Sequence, residues 1–128
     1  MATIFRRTHP AAGKTFLAAA LVCFLLLPPG CKQPPPIRVG FAGCLTGRLS
    51  DLGVSGRNGA MLAVEECNQS GGIGGRRIDL IVKNDRHEPE TAIRVDRELI
   101  AAGVVAIIGH MTSSMTLGVM PLINEARI

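Results

Sequence analysis

The chain has no tryptophan and no tyrosine among its 128 residues, and aromatic residues make up only 3% of it. Three of the four phenylalanines fall within the first 30 positions, which leaves Phe41 as the one aromatic residue beyond them. A ligand site built from this sequence therefore has an aliphatic wall rather than an aromatic one.

Neither sign of charge is in clear excess once the amino-terminal segment is set aside. The formal net charge is +4, but residues 1–30 contain three of the 14 basic residues and none of the ten acidic ones. The rest carries 11 basic and ten acidic residues, a net charge of +1. No basic surface is left that would indicate nucleic-acid binding.

Cysteines are few, and their positions argue against a disulfide. Cys23 lies in the apolar leader and Cys31 directly follows it, which leaves Cys44 and Cys67. Cys44 follows a predicted strand, whereas Cys67 falls near the far end of the next predicted helix. At 1.5 Å of rise per residue the two lie roughly 15 Å apart, too far for a bridge, so both are expected to be free thiols.

Catalytic and metal-binding patterns are missing as well. His87, His110 and Cys67 lack metal-ligand spacing, and no nucleophile and base can be paired. Asp85 could bind ribose in a dinucleotide fold, but the first predicted turn lacks the required glycine spacing. We therefore expect no enzyme, no metal and no cofactor, and interpret Asp85 and His110 as residues that order their loops.

The amino terminus has the pattern of a signal peptide over residues 1–30. Arg6, Arg7 and Lys14 precede an apolar run at 16–27, which is too short for the roughly 20 residues that span a bilayer. Cys31 follows Gly30 and resembles the cysteine of a lipoprotein cleavage box, although Pro28 and Pro29 depart from that box. Lipidation of Cys31 and ordinary secretory cleavage are the two alternatives.

Residues 31–36 then form a lipid-anchor cysteine and a proline-rich tether, because Pro34, Pro35 and Pro36 favour a stiff extended segment. The leader and the tether together predict an exported protein, located in the periplasm or on the outer face of the cytoplasmic membrane and anchored there by lipid.

From position 37 onward, strand and helix patterns alternate. A strand is predicted at 37–43 and a helix after Ser50 and Asp51, which offer capping groups. The buried face of this helix is predicted from 3.6-residue periodicity, and its members are Ala60, Val64 and Cys67. The glycines at 71–75 end the helix, and since they precede a strand they do not form a phosphate-binding loop. The strand that follows, 77–83, alternates like an edge strand.

The second half of the pattern repeats the first. Glu88 and Pro89 begin a helix, and the apolar run 104–108 predicts an interior parallel strand. Ser113 and Ser114 can cap a last helix, which Pro121 interrupts or restarts. The apolar residues of this helix are Leu117, Met120 and Leu122.

This order predicts an α/β fold, a parallel sheet with helices on both faces in the sequence βαβαβα. If the first strand lies between the other two, the loops 44–53 and 110–114 flank the switch point where such sheets bind ligands. Thr112, Ser113 and Ser114 then lie at a helix start, which favours an anion such as a carboxylate. Thr46 could line the same cleft. Capping is the other role open to the serines.

Several motifs occur in the order found in one family: Ile37–Gly43, Gly59–Glu66 with Asn68, the glycines at 71–75, Glu88-Pro89, and Ile108–Ser114. In this order they resemble the periplasmic type I solute-binding proteins of bacterial ABC importers, in the branched-chain amino-acid binding family. The resemblance implies that Ser113 holds a ligand carboxylate and that Leu52 replaces the aromatic wall of many relatives. It also implies an amino acid or related amide as ligand and a membrane permease as partner.

The same resemblance implies that residues 37–128 form a partial N-terminal lobe, so that the chain is an N-terminal fragment of a two-lobed protein. Two other functions stay open: a ligand-binding sensor domain of a signalling protein, and an inactive truncation product.

Lipid attachment at Cys31 gives the first testable prediction. Cells that express the protein and grow with a labelled fatty acid should label the wild type, while Cys31→Ser should lose the label because the acceptor thiol is gone. Cys67→Ser, a thiol far from the leader, is the control that should stay labelled. Undiminished labelling of Cys31→Ser would contradict the prediction.

Overall fold

Strands and helices alternate along residues 33–128, the part of the chain that the computed structural model describes. The elements are β1 (Ile37–Gly43), α1 (Ser50–Gln69), β2 (Ile78–Asn84), α2 (Pro89–Ala101), β3 (Ile107–Ile108) and α3 (Ser113–Ala126). The predicted signal peptide and Cys31 lie outside the described residues. Within residues 33–128 no helix is both long enough and apolar enough to cross a membrane.

The strands form one parallel sheet in the order β2-β1-β3. β1 pairs with β2 along its whole length, from Ile37 opposite Ile78 to Gly43 opposite Asn84. On its other side Phe41 lies opposite Ile108 of β3. The predicted parallel sheet, with the first strand in the middle and the second at an edge, is confirmed.

Alternate residues of β1 face opposite helices. Phe41 faces α1, since a side chain built at Gly56 of that helix would contact the Phe41 ring. Ala42 faces α2 and forms a buried cluster with Val95, Leu99 and Val104. The predicted placement of helices on both faces is confirmed.

α3 packs beside α2 rather than on the sheet. Ala92 of α2 and Met115 and Val119 of α3 form a second buried cluster. Leu117 is 71% exposed and Met120 is 42% exposed. Leu117 and Met120, two of the apolar residues that the sequence places in this helix, therefore lie outside the contact with α2, which follows the i, i+4 pair Met115 and Val119.

α3 also continues through Pro121 from Ser113 to Ala126, so the predicted interruption is wrong. The proline removes one hydrogen bond to the carbonyl of Leu117, four residues earlier. Both residues are exposed, so water can serve that carbonyl.

β3 is shorter than the predicted interior strand at 104–108. Only Ile107 and Ile108 are strand, although the Val105 N–H still donates to the Arg38 carbonyl of β1 at 2.9 Å. Val105 is 60% exposed and Ile108 is 41% exposed. α1 packs over β1 and β2, and within the described residues no strand pairs with the far side of β3.

The predicted side-chain caps are not formed. The N-cap residues are Leu49 for α1 and Thr112 for α3, and neither makes a side-chain cap hydrogen bond. Ser50 and Ser113 are instead the first helical residues. A backbone turn sets the start of α1, because the Ser50 N–H donates to the Gly47 carbonyl at 3.2 Å.

The predicted start of α2 at Pro89 and the predicted end of α1 at the glycines are confirmed. Pro89 occupies the first turn of α2 after Glu88, where its missing N–H costs no bond. After α1, Gly72 has a φ of +74° and its N–H donates to the Cys67 carbonyl at 2.9 Å. Cys44 and Cys67 are both free thiols, as predicted.

The exposed residues 33–36 lie against the amino-terminal edge of the sheet. The Arg76 guanidinium donates to the Pro35 carbonyl at 2.8 Å and to the Pro36 carbonyl at 3.4 Å. This segment therefore approaches the sheet at the edge where β1 and β2 begin.

Gly53 sets how closely α1 approaches the loop after β1. A methyl group at this position would overlap the carbonyl oxygen of Cys44, whereas one at Gly59 of the same helix would meet nothing within 4 Å. The helix can therefore lie against the end of β1 only with glycine at position 53.

Gly53→Ala is expected to lower the free energy of unfolding by about 1–3 kcal/mol, since overlap with backbone forces the helix to shift. Gly59→Ala is the matched control and should raise it by about 0.5–1 kcal/mol through helix propensity. Urea unfolding followed by circular dichroism measures both. Equal effects of the two substitutions would contradict the close approach at Gly53.

Candidate ligand-binding site

The loops that follow the strands meet at the carboxyl-terminal edge of the sheet. They enclose a narrow crevice between the end of β1, the start of α1 and the loop after β3. Its lining residues are Cys44, Leu49, Leu52, Asp85, His87, Met111 and Thr112. The crevice adjoins the central strand at the position where open parallel sheets bind ligands.

An open hollow of about 520 Å³ continues from the crevice along the start of α3. It is lined by His110, Met111, Thr112, Ser113, Thr116 and Leu117. Both polar and aliphatic side chains line it, which suits a small molecule with one polar end.

The amino terminus of α3 supplies unused hydrogen-bond donors. Thr112 is extended and leaves the helix without a side-chain cap, and within residues 33–128 the backbone N–H groups of Ser113, Ser114 and Met115 have no hydrogen-bond acceptor. The Thr112 and Ser114 hydroxyls lie 3.4 Å apart beside them. Free N–H groups, hydroxyls and the helix dipole together form a site suited to an anion.

The predicted site residues are brought together only in part. Thr112, Ser113 and Ser114 share the start of α3, and Leu52, 47% exposed, lies in the first turn of α1 and lines the crevice with Thr112. Thr46 lies apart from both hollows, and its hydroxyl accepts a hydrogen bond from the Asn84 side chain at 2.9 Å.

Asn84 connects the loops after β1 and β2, a role that the sequence analysis missed. Its side-chain oxygen accepts from the backbone N–H of Leu45 at 2.9 Å and of Arg86 at 3.0 Å. Its position as the last residue of an edge strand was the available signal, since an amide there can satisfy loop N–H groups that the sheet leaves free.

Met111 connects the loop after β3 with α1. A side chain built at Gly56 would collide with the Met111 sulfur, and one at Gly43 would crowd the same side chain. Two glycines thus make the space that Met111 fills, and the loop before Thr112 is packed against both α1 and β1.

A buried charged cluster holds the other side of this loop. The His110 ring lies between two carboxylates, with Nδ1 at 2.6 Å from Asp85 Oδ2 and Nε2 at 3.3 Å from Asp96 Oδ2. All three side chains are at most 2% exposed. The expectation that His110 and Asp85 order their loops is confirmed, and Asp85 Oδ1 also accepts from the His87 backbone N–H at 2.8 Å.

Asp96 was missed because it looks like part of a polar helix surface. It lies in α2 among the buried residues Ala92, Val95 and Leu99, so its carboxylate enters the interior. An acid on the buried face of a helix was the signal that could have found it, since such a group requires a partner.

The surroundings of His110 favour its charged form. Burial lowers the pKa of His110, but the hydrogen bonds to Asp96 and Asp85 and the charges of these carboxylates raise it by more, so that it lies above the ordinary 6.5. Both ring nitrogens can donate only in the imidazolium form. A carboxylate oxygen faces each ring nitrogen, which agrees with that form.

A parallel α/β sheet with an uncapped helix start beside its central strand is the arrangement of a small-molecule-binding domain. The chain belongs to the periplasmic binding protein family, whose model matches residues 36–128. This is a family of solute-binding proteins.

Three known proteins illustrate the similarity of this chain to the family. The chain is 32% identical over 80 residues to the leucine-, isoleucine-, valine-, threonine- and alanine-binding protein of Pseudomonas aeruginosa, covering 62% of this chain and 21% of that protein. It is 32% identical, with a TM-score of 0.71, to the branched-chain amino acid transporter substrate binding protein LivJ from Streptococcus pneumoniae in complex with isoleucine, covering 73% of this chain and 27% of that one.

The third is the fatty acid ABC transporter substrate-binding protein from Thermomonospora curvata, which is 33% identical with a TM-score of 0.65 and covers 79% of this chain and 27% of that one. The chain thus spans between 21% and 27% of the length of these proteins. The two solved structures share the fold of this chain over the part that it covers.

The His110 cluster makes stability depend on pH. Because the folded state raises the pKa of His110, the resulting stabilisation is fully present below 6.5 and is lost as the pH rises through the raised value. The urea concentration at the unfolding midpoint of the wild type should therefore decrease as the pH is raised from 6 to 9.

His110→Gln should remove this fall and lower stability at pH 6, because no cation then lies between the two carboxylates. His87→Gln, a histidine outside the cluster, should keep the wild-type slope. A wild-type urea midpoint that stays constant from pH 6 to pH 9 would rule out this account of the cluster.

Proposed function

We propose that the complete protein is an extracytoplasmic solute-binding protein that delivers an amino acid, of the branched-chain class, to an ABC importer. We further propose that it is exported by its leader, anchored by lipid at Cys31 and paired with a membrane permease. Residues 37–128 would supply one wall of the ligand cleft.

The observation that carries the proposal is the uncapped start of α3. Three backbone N–H groups, at Ser113, Ser114 and Met115, face no acceptor within the described residues and adjoin the Thr112 and Ser114 hydroxyls. A carboxylate is an anion that accepts several hydrogen bonds, so it suits these neutral donors. An amino-acid ligand has such a group.

The apolar part of the ligand is assigned to the open hollow, whose lining includes the aliphatic side chains of Met111 and Leu117. Leu52 lines the narrow crevice that shares Met111 and Thr112 with this hollow. The part of the chain beyond the leader has no aromatic residue other than the buried Phe41. An aliphatic wall contacts a branched aliphatic side chain without the stacking that an aromatic ligand requires. Of the named relatives, two bind isoleucine by their descriptions, which supports this class.

Ser113 provides the direct test of the site. In the complete protein, Ser113→Ala should weaken L-isoleucine binding by about 1–3 kcal/mol, the cost of losing a hydrogen bond to a charged group. Ser70→Ala, an exposed serine after the far end of α1, is the matched control and should bind like the wild type. Isothermal titration calorimetry measures both affinities.

Equal affinities of Ser113→Ala and the wild type would contradict the assigned role of Ser113. The same titrations with octanoate, a carboxylate without an ammonium group, separate the amino-acid proposal from a fatty-acid ligand of the kind named for the Thermomonospora curvata protein. Binding of octanoate without binding of isoleucine would overturn the amino-acid proposal while leaving the carboxylate site in place.

A further inference from the structure

We propose that Asp96 is a positioning residue for the ligand site: together with Asp85 it holds the His110 imidazolium, and the clamped ring fixes the loop that presents the start of α3. The inference rests on the proposed function only for the identity of the ligand. Its physical basis is the buried cluster itself.

The cluster joins three separate segments of the chain. Asp85 follows β2, Asp96 lies in the middle of α2, and His110 lies between β3 and α3. His110 is three residues before Ser113 and lines the same hollow as Thr112 and Ser113. A shift of the ring would therefore move the backbone that ends at the free donors.

The backbone of His110 is also tied to α3. The Thr116 hydroxyl lies 3.3 Å from the His110 carbonyl and 3.2 Å from the Thr112 carbonyl, close enough to donate to either. The ring, its own carbonyl and the first turn of α3 thus form one connected unit. The carboxylates of Asp85 and Asp96 hold the ring, and the Thr116 hydroxyl holds the backbone. Together these contacts fix the direction of the first turn of α3.

Asp96 is the more easily broken of the two ring contacts. Its Oδ2 is 3.3 Å from Nε2, against 2.6 Å for the Asp85 contact, and its buried Oδ1 has no hydrogen-bond partner among residues 33–128. A neutral imidazole can donate from only one nitrogen. Loss of the proton therefore keeps the short bond to Asp85 and removes the tie to α2, leaving a buried carboxylate opposite a lone pair.

Among residues 33–128, two other titratable side chains line the same crevice as Asp85. From the loops, Cys44 and His87 line the crevice next to Asp85. From α2, Asp96 is the buried charged residue, and from α3 the neighbouring side chains are Met115 and Thr116, which do not titrate. Variants at Cys44 and His87 are therefore the controls for any pH effect assigned to His110.

The sign of the effect follows from the clamp. Ligand affinity should be highest while His110 is protonated and should fall as the pH rises, because the loop is then no longer fixed before binding. We expect a loss of at least about fivefold across the titration of His110. By reciprocity, bound ligand should raise the midpoint of that titration.

The experiment combines two measurements on the complete protein between pH 6 and pH 9. Calorimetry with L-isoleucine gives the affinity, and NMR gives the His110 ring signals together with the backbone amides of Thr112 and Ser113. The proposal expects one common midpoint for the ring, the amides and the affinity. The amide titration tests the clamp even if isoleucine does not bind.

Asp96→Asn preserves the shape of the side chain and removes its charge, so it should move the common midpoint to lower pH. A purely structural role would still move the ring midpoint, but the Thr112 and Ser113 amides and the affinity would show no matching shift. Cys44→Ser and His87→Gln should keep the wild-type midpoint. If Asp96→Asn fails to fold, Asp96→Glu retains the charge on a longer side chain and should restore folding with a shifted midpoint.

The possible failures are distinct. Absence of isoleucine binding at every pH would overturn the proposed ligand but not the clamp. Isoleucine affinity that is constant from pH 6 to pH 9, or Thr112 and Ser113 amides that do not follow the His110 ring, would overturn the clamp but not the ligand.

Discussion

The close approach of helices to both sides of β1 is the constraint on which the rest of the described structure depends. β1 is the only strand that hydrogen-bonds to both of the others among residues 33–128. Its small residues make this possible: a side chain at Gly40 would collide with Leu99 of α2, and one at Gly43 would crowd Met111. Among residues 40–43 the one large side chain is that of Phe41, which fills the space toward α1. Bulk at the other three of these positions would separate the layers and move the loops that form the site.

Much of this fold follows from local patterns. Strand alternation, the proline at the start of α2 and the glycines after α1 each act within a few residues, so the order of elements and the central place of β1 could be predicted. The length of β3 and the buried face of α3 could not. Both depend on which distant surface covers a residue: Val105 is exposed because α1 lies over other strands, and Met115 is buried because α2 is beside it.

The candidate site divides in the same way. The hydroxyl residues at 112–114 are contiguous and follow a strand. The order of the strands alone therefore places them together at the carboxyl-terminal end of the sheet. Asp96 and Asn84 act across 14 and 38 residues of sequence, on His110 and Thr46 respectively. Nothing in the spacing of such polar residues shows which of them will turn inward, since that is decided by the helix and loop packing that surrounds them.

The contact of Arg76 with the carbonyls of Pro35 and Pro36 determines where the chain enters the domain. It fixes the entering chain at the edge of the sheet where β1 begins, whereas the free donors of α3 lie beyond the edge where β1 ends. The seven residues of β1 separate the two edges by about 20 Å. The entering segment at Pro35 and Pro36 is therefore held at the end of the sheet opposite the free donors, and it does not occupy the approach to them.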